Sequence, residues 1–359
     1  MSKLSELFSA QSTASGPLSV AEREALRAIT VASDNDPRKP EFPPDSPKFP
    51  ATPTYRIIVP GLTNVWLKDE SFNPTGTHKD RMAWEIIVTY REFLLAKQEG
   101  LIKGDLPKMS IISSGSAAVA IQTVLKKYNL PDLKVLTDKN LEPAILSSLE
   151  SIGCEIYLTS LSDKLLSSEE ILKLTENEDG FDITSSEALD PTTRFYDWLS
   201  YEIINNNPDY CFIPFGTGNL YENILNITKN EVSSKNGHDP RFRGNVSTLR
   251  KCNFLGATTN DPRSKAAAKL YSPHLPFAHY DEQWIRLYRY ARYCGPLSNV
   301  HVIKEEYLNQ AIALAEEQKI SCEPSAIAGL ALLLEMKGEI PPEKKIVVVS
   351  TGKTTYPNV

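Results

Sequence analysis

Asn73-Pro-Thr-Gly-Thr-His-Lys79-Asp-Arg81 joins two kinds of chain. Ahead of it, Asn64-Val-Trp-Leu-Lys-Asp69 reads as a strand; behind it, Lys79 to Gln98 carries apolar residues near helical spacing. The Asn-Pro dipeptide and the glycine between them mark a turn. The segment is therefore a strand-to-helix connection with a lysine at the helix start. The positive end of the helix dipole favours a neutral amine there, and a neutral amine can form a Schiff base with a carbonyl compound. The same residues equally describe a surface lysine that opens an ordinary helix.

Working outward, the alternation continues. Strands are expected at Lys108 to Ser113, Lys134 to Thr137, Glu155 to Thr159, Tyr210 to Pro214, Asn253 to Ala257 and Lys345 to Ser350. Helices are expected at Ala117 to Tyr128, Glu142 to Ile152 (stopped by Gly153), Ser168 to Glu178, Thr192 to Asn205, Leu220 to Val232, Lys304 to Gln318 and Ser325 to Met336. Ile346 to Val349 is continuously apolar, as buried central strands of parallel sheets are. The alternation means an α/β fold with mainly parallel sheets.

The 359 residues, 41% hydrophobic and 23% charged, suit a soluble globular protein of roughly two domains. A net charge of −6 argues against nucleic acid as the main partner, and the basic run Arg241-Phe-Arg243 with Arg250-Lys251 is too short to overturn that. The five cysteines are scattered, which fits a reducing compartment and no structural metal site. No apolar run approaches the length of a membrane span, and the N-terminus lacks a hydrophobic signal core, so a cytoplasmic location is expected. Asn35 to Pro53 holds seven prolines and reads as an extended surface arm.

In such folds ligands sit at the carboxyl ends of strands. Three more loops leave strands there. Ser113-Ser-Gly-Ser-Ala117 offers small residues, hydroxyls and a helix start, suited to an anion such as a carboxylate; as plain sequence it is also an ordinary serine N-cap. Phe215-Gly-Thr-Gly-Asn-Leu220 forms a cup for a phosphate, without the spacing of a dinucleotide fingerprint. Ser350-Thr-Gly-Lys-Thr354 superficially suggests a nucleotide P-loop, but that motif needs a glycine where Val347 stands. What remains is one or two hydroxyls at a strand end.

These parts, in this order, resemble the fold-type II pyridoxal-phosphate enzymes, the group of threonine synthase, threonine dehydratase, serine racemase, cysteine synthase and the tryptophan synthase β-subunit. Asn73 to Arg81 is similar to their N-P-T-G-S-x-K-D-R segment and Ser113 to Ala117 to their S-S-G-N-x loop. Pro214 to Asn219 resembles their glycine-rich phosphate loop, Glu323-Pro-Ser325 an E-P-[SA] segment, and Ser350-Thr-Gly352 the S/T-G ending the last strand. The resemblance runs over roughly residues 50 to 355. It implies two open, mainly parallel twisted sheets flanked by helices, with pyridoxal 5'-phosphate in the cleft between two domains. On that pattern residues 1–53 form the arm, 54–84 and 186–359 the large cofactor-binding domain, and 85–185 the small substrate-closing domain.

The resemblance also implies roles. Lys79 carries the cofactor as a Schiff base and then moves the substrate α-proton. Gly216, Thr217, Gly218, Asn219 and Leu220 hold the cofactor phosphate. Ser113, Ser114, Gly115, Ser116 and Ala117 hold the substrate carboxylate. Thr351, then Ser350, faces the pyridine nitrogen. A hydroxyl there, unlike a carboxylate, does not keep the ring protonated, which favours elimination or replacement over transamination. Ser116, also a cofactor contact, departs from the family's usual Asn or Gln. The expected function is thus a lyase or synthase of a small amino acid, threonine synthase-like first. The alternatives are a serine or threonine dehydratase, a β-replacing synthase, or a catalytically altered binding or regulatory subunit. Members of the family are often homodimers.

Overall fold

The computed structural model describes residues 51–161, 166–184, 195–235, 237–259, 268–270 and 290–356. Along the chain these form β1 (Thr54–Arg56), β2 (Val65–Asp69), α1 (Lys79–Gln98), β3 (Met109–Ile112), α2 (Ser116–Lys127), β4 (Lys134–Asp138), α3 (Pro143–Ser151), β5 (Glu155–Thr159), α4 (Ser168–Leu174) and β6 (Phe181–Asp182). There follow α5 (Asp197–Ile204), β7 (Tyr210–Pro214), α6 (Asn219–Ser233), α7 (Val246–Leu249), β8 (Asn253–Thr258), β9 (Asn299–Val302), α8 (Glu305–Glu317), α9 (Ala328–Met336) and β10 (Ile346–Ser350). The described residues divide into two compact units, one of 79–195 with Tyr356 and one of 51–78 with 196–355. The lysine-bearing turn therefore ends one unit, and α1 begins the other.

The unit of 51–78 and 196–355 holds a six-stranded sheet ordered β1-β2-β10-β7-β8-β9. Only β1 runs antiparallel; the other pairs are parallel, as their long crossovers require. β10 is buried along its whole length between β2 and β7. Leu67, Phe212, Leu255 and Val348 form a core with Ile327, Leu330 and Leu333 of the following helical segment. Gly329 lets that helix approach the sheet, since a Cβ there would lie 2.8 Å from the Phe212 carbonyl oxygen.

The unit of 79–195 holds a parallel four-stranded sheet ordered β5-β4-β3-β6. α1 contains neither proline nor glycine and buries Met82, Ala83, Ile86, Ile87 and Tyr90, one helical face. The Tyr90 hydroxyl donates to the Pro107 carbonyl at 2.7 Å, and Tyr90, Phe93 and Phe181 pack edge to face or tilted.

The structure corrects the expected elements at several points. The helix expected from Ser168 to Glu178 stops at Leu174. Glu176 turns left-handed, and Asn177 leaves the helix to donate to the Lys108 carbonyl and the Ser110 hydroxyl. Lys134 closes the helix end by donating to the carbonyls of Thr175 and Glu176. The helix expected from Ser325 begins as a 3-10 turn, Pro324–Ile327, before α9. Three short strands, β1, β6 and β9, carry too few residues for a readable alternation. Residues 1–50 of the expected arm and residues 192–194 of the expected helix lie outside the described residues. Among the described residues no helix is long and apolar enough to cross a membrane.

Candidate active site

The lysine turn is held from below by buried charge. Lys68, in β2, is almost fully buried and donates to the Thr52 carbonyl at 2.6 Å and to Glu202 at 2.5 Å. It lies 3.8 Å from the Glu70 carboxylate. Glu70 in turn accepts from the Thr52 hydroxyl and from Asn73 Nδ2 at 2.8 Å. The same Asn73 amide donates to the Thr77 carbonyl at 3.0 Å, and the Gly76 N–H donates to the Asn73 carbonyl at 2.9 Å. Charge pairing in a dry interior needs this degree of satisfaction, and here it fixes the turn. The His78 ring stacks on Tyr196 with centroids 5.3 Å apart. Lys79 follows, half-buried, as the first residue of α1; Asp80 and Arg81 are both buried.

The turn is also tied to the far end of the chain. The His78 N–H donates to the Thr351 carbonyl, the Lys353 N–H to Gly76 at 2.8 Å, and the Thr355 N–H to Thr75. Thr77 and Gly352 form a bridge. Gly76 and Gly352 both have positive φ, and a Cβ on either would lie within 2.2 Å of the other strand's carbonyl oxygen. Only two glycines permit that approach. The E-P-S segment joins the same knot: the Glu323 N–H donates to the Gly352 carbonyl, the Thr351 N–H donates to the Ala326 carbonyl, and the Glu323 carboxylate pairs with Lys269.

At the strand end Thr351 is half-buried. Ser350 is fully buried, and its Oγ has no hydrogen-bond partner among the described residues. A buried orphan hydroxyl is costly unless something outside the chain satisfies it. The neighbouring acids are occupied elsewhere: Asp69 accepts from the Tyr55 hydroxyl at 2.7 Å and the Ser71 N–H at 2.9 Å, and Glu323 holds Lys269. Burial and Asp69 together push the Tyr55 hydroxyl well up from its ordinary value. Burial pushes the Cys322 thiol, beside Glu323, up to about 11, so it stays protonated at neutral pH.

The glycine loop leaves β7 and enters α6. The Phe215 N–H donates to the Ala257 carbonyl at 2.8 Å. A Cβ on Gly216 would meet the Lys269 carbonyl oxygen at 2.9 Å. Gly218 is left-handed and caps α6 without any side-chain bond. Thr217 and Asn219 flank it half-buried, and Leu220 is buried. A helix start with no capping side chain, behind a loop that glycines allow, leaves N–H groups that could receive a phosphate. On this ground the loop fits the phosphate of a phosphate-bearing cofactor.

The Ser113–Ala117 loop is organised differently from a serine N-cap. The cap of α2 is Gly115, with φ 134° and no side-chain bond. Ser113, buried, instead accepts from the N–H groups of Gly115 (3.1 Å) and Ala118 (3.3 Å), shaping the loop from inside. Ser114 is exposed; Ser116 and Ala117 are half-buried at the first turn of α2. Sequence reasoning missed Lys68, Glu70, Asn73, Tyr196 and Lys269 as supports. Only Asn73 lay within a recognised motif; the others have neighbours remote in sequence.

Two mainly parallel α/β sheets, a lysine at a helix start and an uncapped glycine cradle define an α/β cofactor enzyme of the open-sheet class. The chain belongs to the pyridoxal-phosphate-dependent enzymes, whose family pattern matches residues 51–352. Pyridoxal phosphate is accordingly its cofactor. A threonine synthase from Synechocystis is 24% identical over 336 residues, 92% of this chain and 81% of the relative. Among solved structures, Escherichia coli diaminopropionate ammonia lyase has a TM-score of 0.60 at 12% identity, covering 85% of each chain. O-ureido-L-serine synthase has a TM-score of 0.56 at 18% identity, covering 85% of this chain and 89% of that one. Tomato (Solanum lycopersicum) threonine deaminase isoform 2 has a TM-score of 0.54 at 14% identity, covering 82% and 80%. At such identities these likenesses establish the shared fold.

Proposed function

We propose that the chain is a lyase or synthase acting on a small amino acid by β- or γ-elimination or replacement, with threonine synthase-like chemistry on a phosphorylated homoserine ranked first. The observation that supports it is the end of β10, which carries hydroxyls and no carboxylate, with Ser350 Oγ buried and without a hydrogen-bond partner among the described residues. The bound cofactor supplies an electron sink for the substrate's α-carbon. Lys79 would hold the cofactor through Nζ, and its amine, when free, would be the base placed to take the substrate α-proton. Gly216 to Leu220 orient the cofactor phosphate, Ser113 to Ala117 the substrate carboxylate, and Ser350 or Thr351 the ring nitrogen. The likeness to a threonine synthase supports ranking threonine synthase-like chemistry first; serine and threonine dehydration and β-replacement follow.

The test is a reconstitution and a substrate panel. Purified protein with pyridoxal phosphate is expected to show the visible absorbance of a lysine-bound cofactor, and Lys79→Ala to lose it. O-phospho-L-homoserine, L-serine and L-threonine are then compared for phosphate release and keto-acid formation. A wild-type protein that stays colourless after reconstitution sinks the proposal.

A further inference from the structure

Tyr356 belongs to the same compact unit as the Ser113–Ala117 loop and lies against it. An ideal Cβ on Gly115 would sit 2.5 Å from the Tyr356 hydroxyl oxygen and 3.3 Å from its Cε1. The phenol thus occupies the place of the side chain that Gly115 lacks, with its hydroxyl oxygen buried. Gly115 has φ 134° and ψ −66°, a backbone conformation open to glycine. It is the hinge of the loop: its N–H bonds to Ser113 Oγ, and its carbonyl receives the Val119 N–H at 2.9 Å, the first helical bond of α2. The residues just before Tyr356 are fixed as well, because Gly352, Lys353 and Thr355 are bonded to Thr77, Gly76 and Thr75 of the lysine turn.

We propose that Tyr356 is a positioning residue for the amino-acid substrate, its phenol holding the Gly115 backbone so that the first turn of α2 receives the carboxylate. This rests on the role given above to the Ser113–Ala117 loop. Acting through the loop, Tyr356 would affect substrate binding when removed and leave the attachment of the cofactor at Lys79 intact. Tyr356→Phe removes the hydroxyl and keeps the ring against Gly115; Tyr356→Ala removes both.

The test uses the full chain with two readouts. The first is hydrogen exchange of backbone amides, with and without pyridoxal phosphate. Peptides covering 113–119 are expected to exchange faster in Tyr356→Ala, with a smaller change in Tyr356→Phe, while β4 and β5 stay as in wild type. The second is titration of the bound cofactor's spectrum with O-phospho-L-homoserine and L-serine. The midpoint is expected to rise roughly tenfold in Tyr356→Ala, about 1.4 kcal/mol, with the unliganded spectrum unchanged. Unaltered loop exchange in both variants overturns the proposal. Exchange that rises equally across all strands of the unit also overturns it, since Tyr356 would then be a general stabiliser. If wild-type protein binds no cofactor, the proposed function fails, and loop exchange alone still decides the place of Tyr356.

Discussion

Gly352→Ala is the most informative single change outside the lysine itself. Two separate penalties meet there. The residue has φ +91°, which for an alanine costs about 1–2 kcal/mol. Its new Cβ would stand 2.1 Å from the Gly76 carbonyl oxygen, so the two strands must part. Parting them loosens the bonds from the Lys353 N–H to Gly76 and from the Thr355 N–H to Thr75, at about 1 kcal/mol each. Gly61→Ala separates the two effects. Gly61 has φ +90° in the turn from Val59 to Leu62, yet among the described residues nothing lies within 4 Å of its Cβ position. It should show the φ penalty alone. The assay is thermal unfolding without cofactor, where a kcal/mol moves the midpoint by roughly 2–4 °C for a unit of this size. Gly352→Ala should fall several degrees below Gly61→Ala and should also retain cofactor poorly, because the displaced turn leads directly into Lys79. Equal midpoints for the two variants would refute the close approach, and with it the coupling of the lysine turn to the last strand.

Ser350→Ala removes an orphan hydroxyl, so the cofactor-free protein should be as stable as wild type or more so, by up to about 1 kcal/mol, while cofactor affinity falls; denaturation and spectral titration read the two separately. His301 bears on pH. Burial holds its imidazole below the ordinary 6.5, despite the opposing pull of Glu335 and Glu339. The native state then binds fewer protons than the unfolded one, so the neutral ring's contribution is present above about pH 6.5 and lost as pH falls through the lower folded value. His301→Gln should flatten stability against pH across that interval, and a slope as steep as wild type would contradict the assignment.

Much of the fold was legible because its elements are long enough to show a period. α1 spans Lys79–Gln98, as read, and β5 spans Glu155–Thr159, again as read. Elements decided by partners were not legible. β6 is two residues that pair with β3, and α4 ends early because Asn177 is drawn to the Lys108 carbonyl and the Ser110 hydroxyl. The candidate site divides the same way. Its glycines and serines could be seen as loops leaving strands. The work of Ser113 could not, because its acceptor role depends on the loop's path in space.

What the sequence by itself determined is local. Turn residues, helix starts and apolar periods specify where each strand hands over to a helix, since those preferences act over a few residues. What only the tertiary structure decided is which of those handovers meet. Gly76 and Gly352 each read as an ordinary turn glycine; together they let two backbones touch, and the touching is what fixes the turn before Lys79. Lys68 lies in the expected strand and Glu70 just beyond it, and burial beside Thr52, Glu202 and Asn73 makes them the support of that turn. Contacts between distant segments are set by packing and desolvation across the whole unit, which no window of sequence contains.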